Sequence, residues 1–310
     1  MTATSGPGMS LKTEVLGLAS LAELPLVLLD VQRGGPSTGI PTKPEQSDLF
    51  QAAFSAHGDV LRPVLAPTSV EDTFRVTVEA FNLAERYQTP VVILSDQEIA
   101  QRKETVEPID VSRFELVERL RPTPEQLAEG YQRFADTPSG VSPLSHPGMA
   151  GGNYLAAGIE HDARGAPTAS GAIHAAMNAK RFRKLAPLQE RSDLFETQGP
   201  ADAPLALISW GSSAGVAREA FALARARGLP VKLLVPTLLY PVAEPIYRAF
   251  LASVRAGLVL ELSHQGQLYR ILRMFVDLPP GVSSFARSGA QPFRADEVLE
   301  RLEQQAGVLR

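Results

Sequence analysis

The residues best suited to chemistry lie together in one stretch, residues 30–48, which reads DVQRGGPSTGIPTKPEQSD and follows directly on an apolar run. Gly34, Gly35 and Gly39, with Pro36 and Pro41, free or restrict φ at set points and so specify a loop of one shape. Arg33 stands at the start of that loop, where a planar guanidinium can grip a carboxylate or a phosphate through paired hydrogen bonds. Such a charge-assisted bond contributes about 1.5–3 kcal/mol, against about 1 for a neutral one. Ser37, Thr38 and Thr42 add neutral hydroxyl donors around the same loop. A surface turn with an ordinary arginine fits the string as well, since it matches neither glycine-rich phosphate-binding pattern.

Other segments carry weaker signals. WGSSAG, residues 210–215, joins a strand to a helix and could cradle an anion at the helix N-terminus. A small-residue turn capped by Ser212 or Ser213 is the simpler reading. The histidines, at 57, 146, 161, 174 and 264, show no close metal-ligand spacing. Glu160-His161-Asp162 is the one acidic–histidine cluster, and it reads as a loop network. Hydrolysis by a Ser-His-Asp set is not expected of this chain. NAKRFRKL, residues 178–185, is strongly basic: either a solvated helix end before Pro187 or a site for an anionic partner.

The elements that must position these residues follow from the apolar pattern. Buried strands are predicted at residues 24–31, 90–96, 205–210 and 229–235, with a shorter one at 258–262. Helices are predicted over 10–23, 70–87, 214–227, 243–256 and 267–276. The alternation implies α/β architecture with right-handed crossovers and chemistry at the carboxyl ends of the strands. Between 99 and 204 the pattern breaks. Short helices are predicted over 112–120 and 124–134, and residues 137–171 are rich in Gly, Pro and Ser. So long a loop implies a functional cover, a subunit contact or a mobile segment. Residues 193–203 read as a linker, which divides the chain into 1–200 and 201–310. At the start, residues 1–4 are too short for a complete strand. The turn SGPG at 5–8 leads into a helix apolar on nearly all sides, which is expected to be buried. A domain rarely opens on its central helix, so the preceding strands are expected upstream or on another polypeptide.

Composition narrows the classes further. The 310 residues leave room for about two domains. Hydrophobic residues at 44% and charged residues at 21% are ordinary for a globular protein. Lys+Arg 30 against Asp+Glu 34 leaves a net charge of −4, which argues against a general nucleic-acid binder. There is no cysteine, so this chain holds no disulfide, thiol nucleophile or cysteine-ligated iron–sulfur cluster. A cytoplasmic setting is the simplest expectation. No apolar run approaches the ~18 residues of a membrane span, and MTATSGPGMSLK is not a signal sequence.

Four strings carry a family resemblance: TATSGPGMSLKTE at 2–14, DVQRGGPSTGIPTKPEQSDL at 30–49, ELSHQGQLYRILR at 261–273 and GAQPFRADEVLERL at 289–302. In order, and over essentially the whole chain, they resemble the α subunit of 2-oxoacid:ferredoxin oxidoreductases, the thiamine diphosphate enzymes of 2-oxoglutarate and pyruvate. The resemblance implies a parallel-sheet thiamine-diphosphate-binding (pyrimidine) domain, incomplete at its N-terminus. A smaller α/β domain like the transketolase C-terminal domain would follow it. It implies that Arg33 binds the 2-oxoacid carboxylate, with Gly34 and Ser37 in the same loop. Thr42 would line the pocket for the substrate side chain, and Ser5, Gly6 and Pro7 would shape the aminopyrimidine pocket. SHQGQ at 263–267 would serve packing rather than catalysis. No catalytic or metal-binding residue is expected here, because a YPITPS-like motif and a glutamate that engages the pyrimidine would lie upstream of residue 1.

By the same resemblance, thiamine diphosphate and Mg2+ are held mainly by a β subunit, and iron–sulfur clusters lie in partner subunits. The implied reaction is oxidative decarboxylation of a 2-oxoacid to an acyl-CoA and CO2 with reduction of ferredoxin. The loop version QRGGPSTGIPTK favours 2-oxoglutarate over pyruvate. The implied partners are the β subunit, ferredoxin, the 2-oxoacid and coenzyme A, without nucleic acid or membrane. A truncated, non-catalytic paralogue acting as a structural subunit is the alternative.

Overall fold

The computed structural model describes residues 1–307 and 309. Two five-stranded sheets organise them. In the first, β1 (Thr2–Thr4), β2 (Leu26–Gln32), β4 (Pro90–Asp96) and β3 (Val64–Leu65) run parallel in that spatial order. In the second, β10 (Gly281–Ala286), β9 (Ala256–Glu261), β6 (Leu205–Ser209) and β7 (Val231–Pro236) are likewise parallel. Each sheet ends on an antiparallel strand: β8 (Leu238–Tyr240) beside β3, and β5 (Phe195–Gln198) beside β7. All seven residues of β4 are buried, as near-continuous Val/Ile/Leu content requires of a strand covered on both faces.

Helices close the crossovers. Val70–Tyr87 starts at Ser69, whose hydroxyl accepts from the Asp72 N–H at 3.0 Å, and stops at Gln88, where φ reaches 46°. Gly171–Arg183 turns Met177 and Lys180 inward, while Ser213–Ala226 and Ala295–Gly307 pack together on the second sheet. One apolar core runs from the first sheet through Trp210, Leu234, Tyr247 and Val259 into the second, which fixes the two units against each other.

The predicted strands at 24–31, 90–96, 205–210, 229–235 and 258–262 all form, within a few residues of the expected ends. Several expectations are corrected. Residues 1–4 do make a strand, paired on β2 with Thr4 beside Asp30. The linker expected at 193–203 contains β5, an edge strand of the second sheet. Only Val111–Arg113 is helical within 112–120. The chain beyond runs extended because Asn82 holds it, donating to the Glu115 carbonyl at 2.8 Å and accepting from the Val117 N–H at 2.9 Å. The helix expected over 124–134 ends at Ala128, shortly before Gly130 turns to a φ of 104°. The early helix is shorter, at Thr13–Leu21, and is not buried all round. Leu16 and Ala19 face the core, whereas Leu11 is 87% and Val15 52% exposed.

The basic segment 178–185 matches neither of its two readings. Lys180 and Lys184 turn inward, one helical turn apart, onto the buried carboxylate of Glu23. Lys184 Nζ lies 3.1 Å from Glu23 Oε2 and also donates to the Gln88 carbonyl at 2.9 Å. Arg133, buried beside them, donates to the Glu23 carbonyl at 2.6 Å. This cluster bolts the long segment around residue 133 and the helix Gly171–Arg183 to the end of the early helix. The 137–171 stretch is tied to the first unit where Gln88 Nε2 donates to the Ser142 carbonyl at 2.7 Å, and it closes on itself through a bridge between His161 and Pro167.

Candidate active site

The carboxyl end of β2 delivers Gln32 and Arg33 into the glycine loop, which folds back on itself. Ile40 N–H donates to the Gly34 carbonyl at 2.8 Å and Gly34 N–H to the Lys43 carbonyl at 3.2 Å. Gly39 is obligatory at the bend: its φ is 50°, and a Cβ there would stand 1.7 Å from the Gly34 carbonyl oxygen. Ser37 and Thr42 also take positive φ, 56° and 61°, so strain is concentrated in this loop.

The loop forms one wall of a cleft of about 700 Å³. Arg33, Gly35, Pro36, Ser37 and Ile40 contribute from the loop itself, and Glu45, Ser47 and Asp48 from its exit. Gly6 and Pro7 of the SGPG turn line a second side, and His264, Gln265, Gln267, Ser288 and Gly289 of the second unit close a third. Arg33 is half-buried, and its Nε is buried without an acceptor. The cation is therefore positioned but uncommitted, as an anion-binding group must be.

Of the residues expected at a site, Arg33, Ser37, Gly6 and Pro7 meet in this cleft. Gly34 and Ser5 do not line it; Gly34 is buried behind the loop and Ser5 is the residue from which the short helix Gly6–Ser10 starts. Thr42 is exposed on the outer limb of the loop and is not part of the cleft wall. His264, Gln265 and Gln267 of SHQGQ line the cleft. Glu261 holds that segment in place by accepting from the Leu268 and Tyr269 N–H groups at 3.0 and 3.1 Å.

Two units meet here through Gln46. Its Nε2 donates to the Trp210 carbonyl at 2.7 Å, and its Oε1 accepts from Ser213 Oγ at 2.7 Å and from the Leu262 N–H at 2.8 Å. Gln46 N–H donates in turn to the Leu262 carbonyl at 2.6 Å. Residues 211–215 do have the GxSxG spacing of a hydrolase elbow, yet Ser213 is spent on Gln46, and no histidine lines the neighbouring hollow. Gln46→Ala is expected to destabilise the chain by about 1–3 kcal/mol through buried groups left unpaired. The midpoint of urea unfolding reads this directly; an unchanged midpoint would show that the units are held together elsewhere.

Beneath the SGPG turn lie two acids not anticipated as site residues. Asp30 is wholly buried in β2, and Asp48 precedes the helix Leu49–Phe54 at the cleft floor. Burial, followed by the like charge of Asp48, pushes Asp30 up to about 8. Burial also raises Asp48, to about 6, with Glu45 adding to the rise while the hydrogen bond from Asp30 and the charge of Arg33 oppose it.

Two mostly parallel sheets with a cleft at the carboxyl end of β2 define an α/β protein whose pocket lies where such sheets bind ligands. Residues 1–180 match the family model described as pyruvate flavodoxin/ferredoxin oxidoreductase, thiamine diphosphate-binding, and the chain belongs to that family. It is similar to the 2-oxoglutarate synthase subunit KorA of Methanothermobacter marburgensis, 34% identical over 97% of this chain and 79% of the relative. The 2-oxoacid:ferredoxin oxidoreductase 2 subunit alpha of Aeropyrum pernix is 33% identical over 96% of this chain and 46% of its own length. Among solved structures, the 2-oxoglutarate:ferredoxin oxidoreductase from Magnetococcus marinus, with 2-oxoglutarate, coenzyme A and succinyl-CoA bound, matches with a TM-score of 0.95 and 39% identity. That match covers 99% of this chain and 53% of the other. This chain thus spans about half the length of the last two relatives. No helix among the described residues is long and apolar enough to cross a membrane.

Proposed function

We propose that this chain is the substrate-gripping part of a cytoplasmic 2-oxoacid:ferredoxin oxidoreductase, acting on 2-oxoglutarate in preference to pyruvate. The observation that carries this reading is the uncommitted guanidinium of Arg33 in the cleft beside the SGPG turn. Arg33 takes the substrate carboxylate, while the Ser37 hydroxyl and the backbone of the stiff loop hold the acid in one orientation. Thr42 reaches the substrate side chain only if its limb of the loop folds inward on assembly. Thiamine diphosphate, when bound, supplies the carbon nucleophile for the keto group, and positioning of the two reactants can remove several kcal/mol of barrier.

Gly6 and Pro7, which line the cleft, are assigned to the edge of the aminopyrimidine ring. No group of three acidic or histidine side chains suited to a metal occurs among the described residues, so Mg2+ and the diphosphate are assigned to a β subunit. The iron–sulfur cluster is assigned to partner chains because this one has no cysteine. The exposed Val15 and Leu18 of the early helix, with Leu11 just ahead of it, are assigned to an apolar contact with that β subunit. Val15→Asp is expected to cut recovery of the complex severalfold in a tagged pull-down, with little effect on the folding of this chain. Full recovery would move the contact to another surface. The overall reading is tested by assaying the assembled complex for coenzyme A-dependent viologen reduction with 2-oxoglutarate, pyruvate and 2-oxobutyrate. Turnover fastest with 2-oxoglutarate is the expected result, and absence of turnover with every acid would overturn the reading.

A further inference from the structure

Asp30 lies two residues before Gln32 on β2, and the Asp48 N–H donates to Gln32 Oε1 at 3.1 Å, which sets the Asp48 carboxyl beside that of Asp30. Both oxygens of Asp30 and Oδ2 of Asp48 are buried with no donor from any other described residue. Two neighbouring carboxylates buried without donors cannot both stay ionised, so the pair holds at least one proton. The site is tightly built. Thr4 and Leu94 flank Asp30 in the sheet. A Cβ on Gly6 would stand 2.7 Å from Asp48 Oδ2. Glycine at position 6 is what lets the carboxyl reach the floor of the cleft.

Charge counting gives this proton a purpose. Asp48 and Glu45 line the cleft, with Asp30 buried beneath, against the single guanidinium of Arg33, and His264 faces them from the second unit. Glu45 accepts the Gly289 N–H at 2.9 Å, and Lys12, the nearest lysine on the early helices, donates to the Gly8 carbonyl at 3.4 Å. Three ionised carboxylates around one cation would repel the anion that Arg33 is placed to bind. We propose that Asp30 and Asp48 form a proton-sharing pair, and that binding of a carboxylate ligand beside Arg33 draws a second proton onto Asp48, which then donates a hydrogen bond to that ligand. The identity of the ligand rests on the 2-oxoacid reading; the shared proton does not.

The direction follows from the ionisation of the pair. Near pH 7 the pair shares one proton, held mainly by the more deeply buried Asp30, because burial raises both carboxyls. An anion brought next to Asp48 raises its proton affinity, so binding takes up a proton and weakens as pH rises. Two measurements decide the matter. The first is infrared difference spectroscopy of the complete chain between pH 5 and pH 9. A buried protonated-carboxyl band persisting at pH 7 and lost in Asp30→Asn is expected; its absence in the wild type overturns the proposal with no ligand involved.

The second is calorimetric titration of the assembled enzyme with 2-hydroxyglutarate, which lacks the keto group, in two buffers of different ionisation enthalpy. Uptake approaching one proton per site at pH 7 is expected, with affinity falling by up to about tenfold per pH unit above that. Asp48→Asn, whose amide donates at every pH, should bind without uptake. Uptake that persists in Asp48→Asn comes from another group and overturns the proposal, as does wild-type binding with no uptake; either result leaves the 2-oxoacid reading intact. A wild-type enzyme that shows the infrared band but binds neither 2-hydroxyglutarate nor any 2-oxoacid overturns the substrate reading and the coupling together.

Discussion

Arg33→Ala in the assembled enzyme is expected to lower kcat/KM for the 2-oxoacid by roughly 10- to 150-fold, the loss of a charge-assisted pair contributing about 1.5–3 kcal/mol. The change should fall mostly on KM, because the guanidinium holds the carboxylate in the ground state and in the transition state alike. Part of it reaches kcat if the carboxylate then swings and misaligns the keto carbon. The Ala side chain leaves the backbone bonds of the loop untouched, since Gly34, Ile40 and Lys43 make them among themselves. Assembly and the KM for coenzyme A should therefore stay as they were. Arg33→Lys keeps the charge and loses the planar fork, so its defect should be intermediate. Equal kcat/KM values for wild type and Arg33→Ala with every 2-oxoacid tested would remove Arg33 from the site.

Arg33 was legible in the sequence because its signal is local: a strand, then a cation, then glycines and prolines that fix a loop. The rest of the cleft is not local. Asp30 and Asp48 are separated by the whole glycine loop, and only the return of the chain beneath Gly6 brings them together. His264, Gln265 and Gly289 arrive from the second sheet, placed by Glu261 and Gln46, whose residue types are commonplace on any surface. The same reason explains the fold. Long Val/Leu-rich strands announce themselves, whereas β3 and β8 are two and three residues long and are defined only by their pairing, β3 with β4 and β8 with β3. β10 reads GVSSFA and is half polar because it is an edge strand. Lysines four apart on a helix usually mark a solvated face, and the glutamate that draws Lys180 and Lys184 inward lies far back in the chain.

That inward-facing cluster carries the largest expected effect on stability. In Glu23→Gln the Lys180 and Lys184 amines and the Arg133 guanidinium remain buried without their carboxylate, and a loss of about 3–5 kcal/mol is expected. The pH profile distinguishes this cause from a packing defect. Burial works against the ionised form of Glu23, but Lys184, Lys180 and Arg133 outweigh it and hold the acid down to about 2 from an ordinary 4.5. Its contribution is thus complete above pH 4.5 and is lost as pH falls toward 2. Lys184 shifts the other way for a cation: burial, only partly countered by Glu23, lowers it to about 8 from 10.5. Below pH 8 it stays charged in both states at full cost, and between 8 and 10.5 the folded chain sheds the proton first, so stability rises with pH there. Glu23→Gln should lose the acid limb of the profile, and the alkaline rise should begin at a lower pH because the lysines have no counter-charge left. Adding Lys184→Met should recover part of the loss at pH 7. If urea titrations across pH instead give parallel profiles for wild type and Glu23→Gln, the cluster is held by packing and its charges are incidental.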